Sequence, residues 1–144
     1  MSEPTYIKVT VEQENEEGKV FAETMWTTKV GEHYRIENIP FYVIDLAFYD
    51  IIEAELIEDT LFATAIAEEG GHSTIRIYFK SGEVEKVREF FTSQGCHSEL
   101  SSNPKWLAIN IPPEVAYTKI RAYLEEGESK DLWEYEEGCL AHEA

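Results

Sequence analysis

The apolar residues of this 144-residue chain change their period at the Gly70-Gly71 pair, and that change constrains the fold more than any other feature. Before the pair, short runs alternate between apolar and polar side chains, which is typical of half-buried strands. After it, two runs place apolar residues three and four positions apart, which is typical of helices. The change predicts two subdomains, residues 1–70 and 71–144, packed as one unit and joined at the glycine pair.

The first subdomain is predicted to consist of strands alone. Alternation begins in residues 5–11, and residues 12–19 form a polar loop. Further strands are expected at residues 20–30, 33–39, 51–57 and 61–68, with tight turns at residues 31–32 and 58–59. Pro40 lacks a backbone donor, so the chain must leave the ladder there or lie at an edge. Short consecutive antiparallel strands predict a small, bent β-sheet or an open barrel.

The second subdomain combines strands with two helices. Helical spacing predicts one helix over residues 82–94, closed by Gly95, and another that begins at Pro113 and ends at Gly127. Strands are expected at residues 73–79, 97–101, 106–111 and 132–136. This β-α-β-β-α-β order is that of a ferredoxin-like unit, so the fold class is α+β. Five apolar side chains should lie between helices and sheet: Val84, Val87, Phe91, Ile120 and Leu124.

Several segments of the chain recur in a known family. They read Y-R-I-E-N-I-P-F over residues 34–41, Y-D-I-I-E-A-E over residues 49–55 and W-E-Y-E-E-G over residues 133–138. Nearly the whole chain resembles the bacterial domain-of-unknown-function family 4265, in which strands of the form Y-x-I-x-N-I-P-F and G-D-V-V-x-A-E are followed by a closing W-x-Y-E-E-G strand. Tyr49 stands where the family pattern has glycine. The resemblance implies a fold and no chemistry, so function must be argued from the residues.

Net charge is the strongest compositional constraint on function. The chain has 29 acidic and 12 basic side chains, a net charge of −17. Such a field repels phosphate backbones, so direct binding of DNA or RNA is not expected. Tyr78 and Trp106 could stack on bases from an open ferredoxin-like sheet, but that half is also net negative. The field attracts basic proteins and speeds their encounter, although it is also compatible with solubility alone.

The sequence shows no catalytic constellation. It contains no glycine-rich phosphate loop, nucleophile elbow or zincin helix, and its carboxylates are numerous enough to be adjacent by chance. Cys96-His97 and Cys139 with His142 could supply zinc ligands, yet adjacent donors rarely point into one tetrahedron, and the second pair lies in a tail expected to fray. We therefore expect no enzyme activity, no metal and no cofactor. Cys96 should be buried and His97 exposed.

The expected compartment is the cytoplasm. No apolar run approaches the length of a membrane span, and no basic segment precedes an apolar stretch as in a signal peptide. The two cysteines are expected to remain thiols in such a protein.

These features predict a non-enzymatic inhibitor, most concretely an immunity protein that neutralises a basic toxin domain such as a nuclease. Its carboxylates would occupy a surface built to hold a polyanion, and aromatic residues among them would supply the hot spots. Two candidate patches contain the expected partner-binding residues. The first is Glu53, Glu55, Glu58 and Asp59, and the second is Asp131, Glu134, Tyr135, Glu136 and Glu137.

The alternative is a small-molecule-binding or regulatory module. Its ligand would lie in the groove between the two subdomains, near Asn38, Phe41 and Tyr42, because clefts at such junctions are common ligand sites. An exposed acidic patch would favour inhibition, whereas a closed apolar pocket with convergent polar groups would favour a ligand.

Overall fold

The computed structural model describes residues 5–81 and 83–143. In these ranges the chain forms nine strands and two helices. In chain order they are β1 (Ile7–Glu14), β2 (Val20–Val30), β3 (His33–Ile36), β4 (Ile51–Ile57), β5 (Thr60–Glu68), β6 (Ser73–Phe79), α1 (Val84–Ser93), β7 (His97–Leu100), β8 (Trp106–Ile111), α2 (Tyr117–Ser129) and β9 (Trp133–Cys139). The first five strands form one sheet and the last four form another. The architecture is α+β, as the sequence predicts.

Strands β1 to β5 form a closed barrel. Consecutive strands pair antiparallel, and the barrel closes through a parallel contact in which Thr10 of β1 is opposite Phe62 of β5. The sequence predicts a bent sheet or open barrel, and pairing of the first and last strands completes that curvature. Alternate apolar residues fill the interior, including Val9, Met25 and Ile52.

Two tight turns set the register of the barrel, and both agree with the prediction. Residues 31–32 join β2 to β3, and residues 58–59 join β4 to β5, where Ile57 pairs with Thr60. Glu58 and Asp59 have φ values of 45° and 71°. Two consecutive left-handed residues are the geometry of a type I′ hairpin, whose twist matches that of the flanking strands.

Strands β6 to β9 and the two helices form the predicted β-α-β-β-α-β unit, with strand order β7-β8-β6-β9. The helices pack on one face of the sheet, because the apolar residues of β6 and β8 that point the same way share a core with both helices. Val87, Phe91, Ile120 and Leu124 are buried in that layer, and Val84 is partly buried against it. In the described part of the chain, neither helix is long and apolar enough to cross a membrane.

Some element boundaries differ from the prediction for local reasons. β1 continues to Glu14 because Glu12 and Glu14 extend the ladder opposite β2, so the polar loop shortens to residues 15–19. β3 ends at Ile36, where the chain leaves the barrel ladder before Pro40. Gly95 behaves as predicted, since its φ of 85° and its N–H bond to the carbonyl of Thr92 terminate α1.

Helix α2 departs most from the prediction. It begins at Tyr117 instead of Pro113, and it continues through Gly127 to Ser129. A Cβ atom at Gly127 would lie 1.9 Å from the indole of Trp133. The prediction that Gly127 ends the helix is therefore wrong. The glycine permits close packing of α2 against β9.

Tyr49 adopts a backbone conformation that normally favours glycine. Its φ is 71°, a left-handed value that residues other than glycine rarely adopt. The Tyr49 ring stacks on Phe48 with centroids 4.1 Å apart, and the Arg35 guanidinium lies 4.6 Å from its centroid. These contacts help to hold a conformation that would otherwise be unfavourable.

Candidate binding surfaces

The first candidate patch lies on the β4–β5 hairpin, which is formed by two paired strands of the barrel. The base of the hairpin is anchored because Ile52 is buried and Ala63 packs against the barrel core. Along β4 the exposure rises toward the turn, where Leu56 and Ile57 are 64% and 48% exposed, whereas on β5 Leu61 still packs against the barrel core. All four carboxylates of the patch are exposed, namely those of Glu53, Glu55, Glu58 and Asp59. The sequence predicts this exposure for Glu53 and Glu55.

Apolar side chains lie among these carboxylates. Glu55 is directly opposite Phe62, and residues opposite one another in a ladder share a face of the sheet. Phe62 is half-buried on that outer face. The sequence-based interpretation missed Leu56 and Ile57. A signal was present, because two consecutive apolar residues in a strand cannot both point to the same core.

The hairpin carboxylates are not neutralised within the molecule. Over residues 5–81 and 83–143, none of the four takes part in an ion pair. The imbalance extends across the first half of the chain, since residues 1–70 contain 16 acidic and 4 basic side chains. The hairpin can therefore attract a cationic surface within about a Debye length, roughly 8 Å at physiological ionic strength.

The second candidate patch is divided between the two faces of β9. Glu134 and Glu136 lie on the face away from the helices, opposite residues of β6 that point the same way. Tyr135 packs against the core on the helix side, and Glu137 contacts α2. Because successive strand residues point to opposite faces, these side chains and Asp131 do not form one continuous surface.

Each carboxylate of the second patch has a cationic partner within the molecule. The N–O distances are 2.8 Å for Lys80–Asp131, 3.4 Å for Lys80–Glu134, 2.6 Å for Arg76–Glu136 and 2.6 Å for Arg121–Glu137. Glu137 also accepts a hydrogen bond from the Tyr117 hydroxyl. Burial opposes ionisation of Glu137, but the bonds from Tyr117 and Arg121 outweigh it and lower its pKa. Burial, reinforced by Glu137, raises the pKa of Tyr117. This region is internally compensated.

The predicted ligand groove is filled by the chain itself. The segment that connects β3 to β4 passes between the two sheets, and a single carboxylate holds its backbone. Glu23 of β2 accepts the N–H groups of Phe41, Tyr42 and Val43 at 2.7, 2.9 and 3.0 Å. Three successive donors on one carboxylate fix the path of the segment against the barrel.

The second sheet binds the carbonyl groups of the same segment. Arg76 on β6 is fully buried and donates to the carbonyls of Pro40 and Val43 at 3.2 and 2.9 Å. The indole N–H of Trp106 donates to the carbonyl of Phe41 at 3.1 Å. Because buried backbone groups require partners, these bonds join the two halves of the molecule.

Of the three residues predicted to bind a ligand, only Tyr42 has an exposed side chain. Asn38 is partly buried, and its Oδ1 accepts the backbone N–H of Trp26 at 2.7 Å. Phe41 is also partly buried, with its N–H and carbonyl both used in the connection. The residues are therefore committed to structure, except for the Tyr42 ring.

A small cavity lies elsewhere at the junction. Its volume is about 220 Å³, and its lining includes Asp45, Asp50, Glu69, His72 and Cys139. The Asp50 carboxylate accepts the N–H groups of Ala47 and Gly70, and burial raises its pKa. Burial lowers the pKa of His72. The volume is below the range of about 300–1,000 Å³ typical of ligand sites, so the cavity does not favour a drug-sized ligand.

The cysteines and histidines do not converge. In the described residues, no three or more His, Cys, Asp or Glu side chains are arranged to hold a metal ion. Both cysteines are free thiols; Cys96 is buried and His97 is exposed, as predicted. Burial raises the pKa of Cys96 and of Cys139 to about 11. Each thiol is therefore protonated at neutral pH and is a weak nucleophile.

The tail that follows β9 is anchored up to His142, so the prediction that it frays is wrong there. Ser73 Oγ accepts the N–H groups of Ala141 and His142 at 2.9 and 3.2 Å. The His142 ring lies between Ser73 Oγ, 2.5 Å from Nδ1, and the carbonyl of Pro112, 2.7 Å from Nε2. Ser73 is fully buried. This serine–histidine pair therefore lacks the access that a nucleophile needs and serves as an anchor.

The protein is an α+β chain in which a five-stranded barrel, with an acidic hairpin at its surface, is joined to a ferredoxin-like sheet. A family model described as "Domain of unknown function (DUF4265)" matches residues 23–135. The chain belongs to this family, and the resemblance drawn from its strand motifs is confirmed. No match was found among the curated proteins.

A solved structure shares the whole architecture. It is described as "Novel crystal structure of a hypothetical protein from Neisseria gonorrhoeae" and matches with a TM-score of 0.87 at 21% sequence identity. The match covers 96% of this chain and 98% of the other. At that identity the similarity shows a shared fold and nothing about function.

Proposed function

We propose that this chain is a non-enzymatic binding protein that holds a basic protein surface with the β4–β5 hairpin. One observation carries the proposal: four exposed carboxylates with no ion-pair partner in the described ranges lie on the same hairpin as the exposed Leu56 and Ile57, and Ile57 shares a face with Glu55. Exposed ion pairs alone contribute little to affinity, whereas apolar side chains that become buried on binding contribute more. The hairpin fits a partner whose cationic groups surround an apolar contact.

The most concrete form of this function is an immunity protein that inhibits a cognate basic toxin domain, such as a nuclease, in the bacterial cytoplasm. A nuclease surface holds a polyanion and is therefore cationic. Exposed carboxylates on the hairpin can occupy such a surface, and the net charge of −17 favours fast encounter. Inhibition of this kind requires occupancy and no catalysis by the chain.

The alternative, a small-molecule or regulatory module, has less support. The groove near Asn38 and Phe41 is occupied by the chain's own connecting segment, whose polar groups are already bonded. The four carboxylates of the acidic hairpin, in contrast, form no ion pair in the described ranges. We therefore favour the protein-binding function.

The test is a kinetic measurement on the partner, captured from the native cell and then purified. The association rate should fall as salt rises because screening weakens steering, while the dissociation rate should change less. The double variant Glu53→Lys/Glu55→Lys should slow association and weaken the complex. The loss should reach about 2–5 kcal/mol only where one of these carboxylates pairs with a buried partner charge.

A matched control separates the hairpin from the overall charge. Glu16→Lys/Glu17→Lys makes the same change in net charge on the exposed β1–β2 loop and should retain most of the affinity. Equal weakening by both double variants would refute a local role of the hairpin, and association rates that do not change with salt would refute the electrostatic mechanism.

For an immunity protein, the partner's toxic activity should also disappear at a one-to-one ratio. Persistence of that activity in a saturated complex would refute inhibition.

A further inference from the structure

Three aromatic rings form an exposed strip where the second sheet meets the connecting segment. Tyr78 and Trp106 are opposite one another on β6 and β8, with ring centroids 6.4 Å apart. The Tyr42 ring lies 6.5 Å from that of Trp106, and their planes differ by only 12°. Tyr42 and Tyr78 are 56% and 39% exposed, and Trp106 is partly exposed. We call Tyr42, Trp106 and Tyr78 the aromatic strip.

The strip is held in place before any partner binds. The Trp106 indole donates to the carbonyl of Phe41, which fixes the ring plane. The backbone N–H of Tyr42 is bound by Glu23. Tyr78 lies on β6, a central strand paired on both sides. Rings that are already ordered lose little conformational freedom on binding, which favours affinity.

In the described ranges the strip has no cation of its own, unlike the exposed rings of Trp26 and Tyr49. Lys8 lies over Trp26 at 5.1 Å, and Arg35 lies over Tyr49 at 4.6 Å. Across residues 5–81 and 83–143, no lysine or arginine lies over a ring of the strip in this way. Its ring faces are therefore free to accept a cation from outside.

The charge beside the strip has the sign that a cation requires. Glu134 on β9 is directly opposite Tyr78. Glu134 and Asp131 share a single cation, Lys80, at 3.4 and 2.8 Å. Lys80 lies closer to Asp131 than to Glu134, so Glu134 is the less tightly paired carboxylate at this end of the strip. A nucleic acid backbone would be repelled there, and a basic side chain would be attracted.

We infer that the aromatic strip is a second recognition site, which binds an arginine-bearing segment of a basic protein partner. Guanidinium groups would stack on Trp106 and the two tyrosines, with Glu134 as the nearby carboxylate. Arginine fits better than lysine because its planar, weakly hydrated guanidinium stacks on aromatic faces. A second copy of this chain is disfavoured as occupant by its own charge of −17. The inference rests on the proposed function only in requiring a basic partner, and the site is separate from the hairpin.

The test is an NMR titration of the full chain with a short peptide that alternates arginine and glycine, and with its lysine counterpart of equal charge. The arginine peptide should shift the indole N–H resonance of Trp106. The resonances of Trp26, already covered by Lys8, and of buried Trp133 should move much less. The arginine peptide should bind about threefold or more tightly than the lysine peptide, since stacking adds to charge.

Variants of the strip give the second readout. Tyr42→Leu/Tyr78→Leu should weaken binding of the arginine peptide by about tenfold, because two cation–π contacts are removed. Tyr6→Leu changes an equally exposed tyrosine outside the strip and should have no effect. The single variant Tyr42→Leu, at the most exposed ring, should weaken binding about threefold and keeps the test decisive if the double variant does not fold.

Two results would overturn the inference. Equal affinity for the arginine and lysine peptides, with no loss in the strip variants, would mean that charge alone attracts the peptides. Tighter binding of single-stranded oligouridine than of the arginine peptide at Trp106 would make the strip a base-stacking platform.

The strip inference and the hairpin proposal can also be tested separately. If the strip variants weaken binding of the peptide and Glu53→Lys/Glu55→Lys does not change binding of the native partner, the strip inference is supported and the hairpin proposal fails.

Discussion

The two halves of the molecule use acidic residues in opposite ways. Residues 1–70 carry 16 acidic and 4 basic side chains, and residues 71–144 carry 13 and 8. In the part of the chain that the structure describes, Arg35–Glu37 is the only ion pair of the barrel half, and the other pairs belong to the second half. Carboxylates of the second sheet are therefore compensated by neighbouring cations, whereas most of those on the barrel face solvent.

The role of a carboxylate in this molecule depends on which residue lies across from it. Glu53 and Glu136 both occupy strands, and both are exposed. Glu136 has the buried Arg76 guanidinium at 2.6 Å, whereas Glu53 is opposite Ala65. One is committed to the structure, and the other is free for a partner. Substitution of the paired residues should therefore destabilise the fold, whereas substitution of Glu53 should weaken binding alone.

The largest loss of stability is expected on substitution of Arg76. Arg76→Leu removes every hydrogen bond from its guanidinium to the connecting segment and leaves the carbonyls of Pro40 and Val43 without these donors. We expect a loss of about 2–4 kcal/mol in the free energy of unfolding, because unsatisfied buried groups cost about 1–3 kcal/mol each. Equilibrium urea unfolding measures it. Lys80→Met, which removes an exposed cation, should change stability much less. Equal small losses in both variants would show that the hydrogen bonds of Arg76 do not hold the two halves together.

A smaller effect is expected at Glu137, and it should depend on pH. Glu137→Gln weakens the charge-assisted bonds from Tyr117 and Arg121, at a cost of about 1–2 kcal/mol near neutral pH. The folded-state pKa of Glu137 lies below its ordinary value of 4.5. Its stabilising contribution is therefore present above about pH 4.5 and is lost as pH falls through the folded pKa.

The measurement for Glu137 is urea unfolding at a series of pH values. The difference in stability between the wild type and Glu137→Gln should narrow as the solution becomes acidic. Glu125→Gln, at an exposed position of α2, provides the control and should run parallel to the wild type. A constant difference across the acidic range would mean that the carboxylate acts by packing and not by its charge.

Local features of the fold could be predicted from the sequence, and long-range features could not. The element order and the turns at residues 31–32 and 58–59 follow from spacing within a few residues. Closure of the barrel depends on Thr10 meeting Phe62, and the role of Gly127 depends on the position of Trp133. Neither relation is encoded in a local period.

The same limit applies to the candidate surfaces. Alternation along the strand was sufficient to predict that Glu53 and Glu55 are exposed. It could not show that Glu136 faces Arg76, or that Tyr42 would join Tyr78 and Trp106, because these neighbours come from distant parts of the chain. Charge composition predicts attraction of a basic partner, but only the fold distinguishes compensated carboxylates from free ones.

The smallest effect on stability is expected at the hairpin, whose carboxylates differ most from the paired carboxylates of the second sheet. Glu53→Lys/Glu55→Lys should leave the free energy of unfolding within about 0.5 kcal/mol of the wild type, because neither side chain is buried or held by a cation in the described ranges. A slight gain is compatible with weaker self-repulsion in a chain of charge −17.

The measurement is urea unfolding of this variant beside Glu16→Lys/Glu17→Lys. A loss of several kcal/mol confined to the hairpin variant would mean that these carboxylates support the barrel, and the contrast with the second sheet would disappear. Unchanged stability together with a weakened complex would assign them to the partner, because a carboxylate that contributes nothing to the fold but is needed for binding has its counter-charge on another molecule.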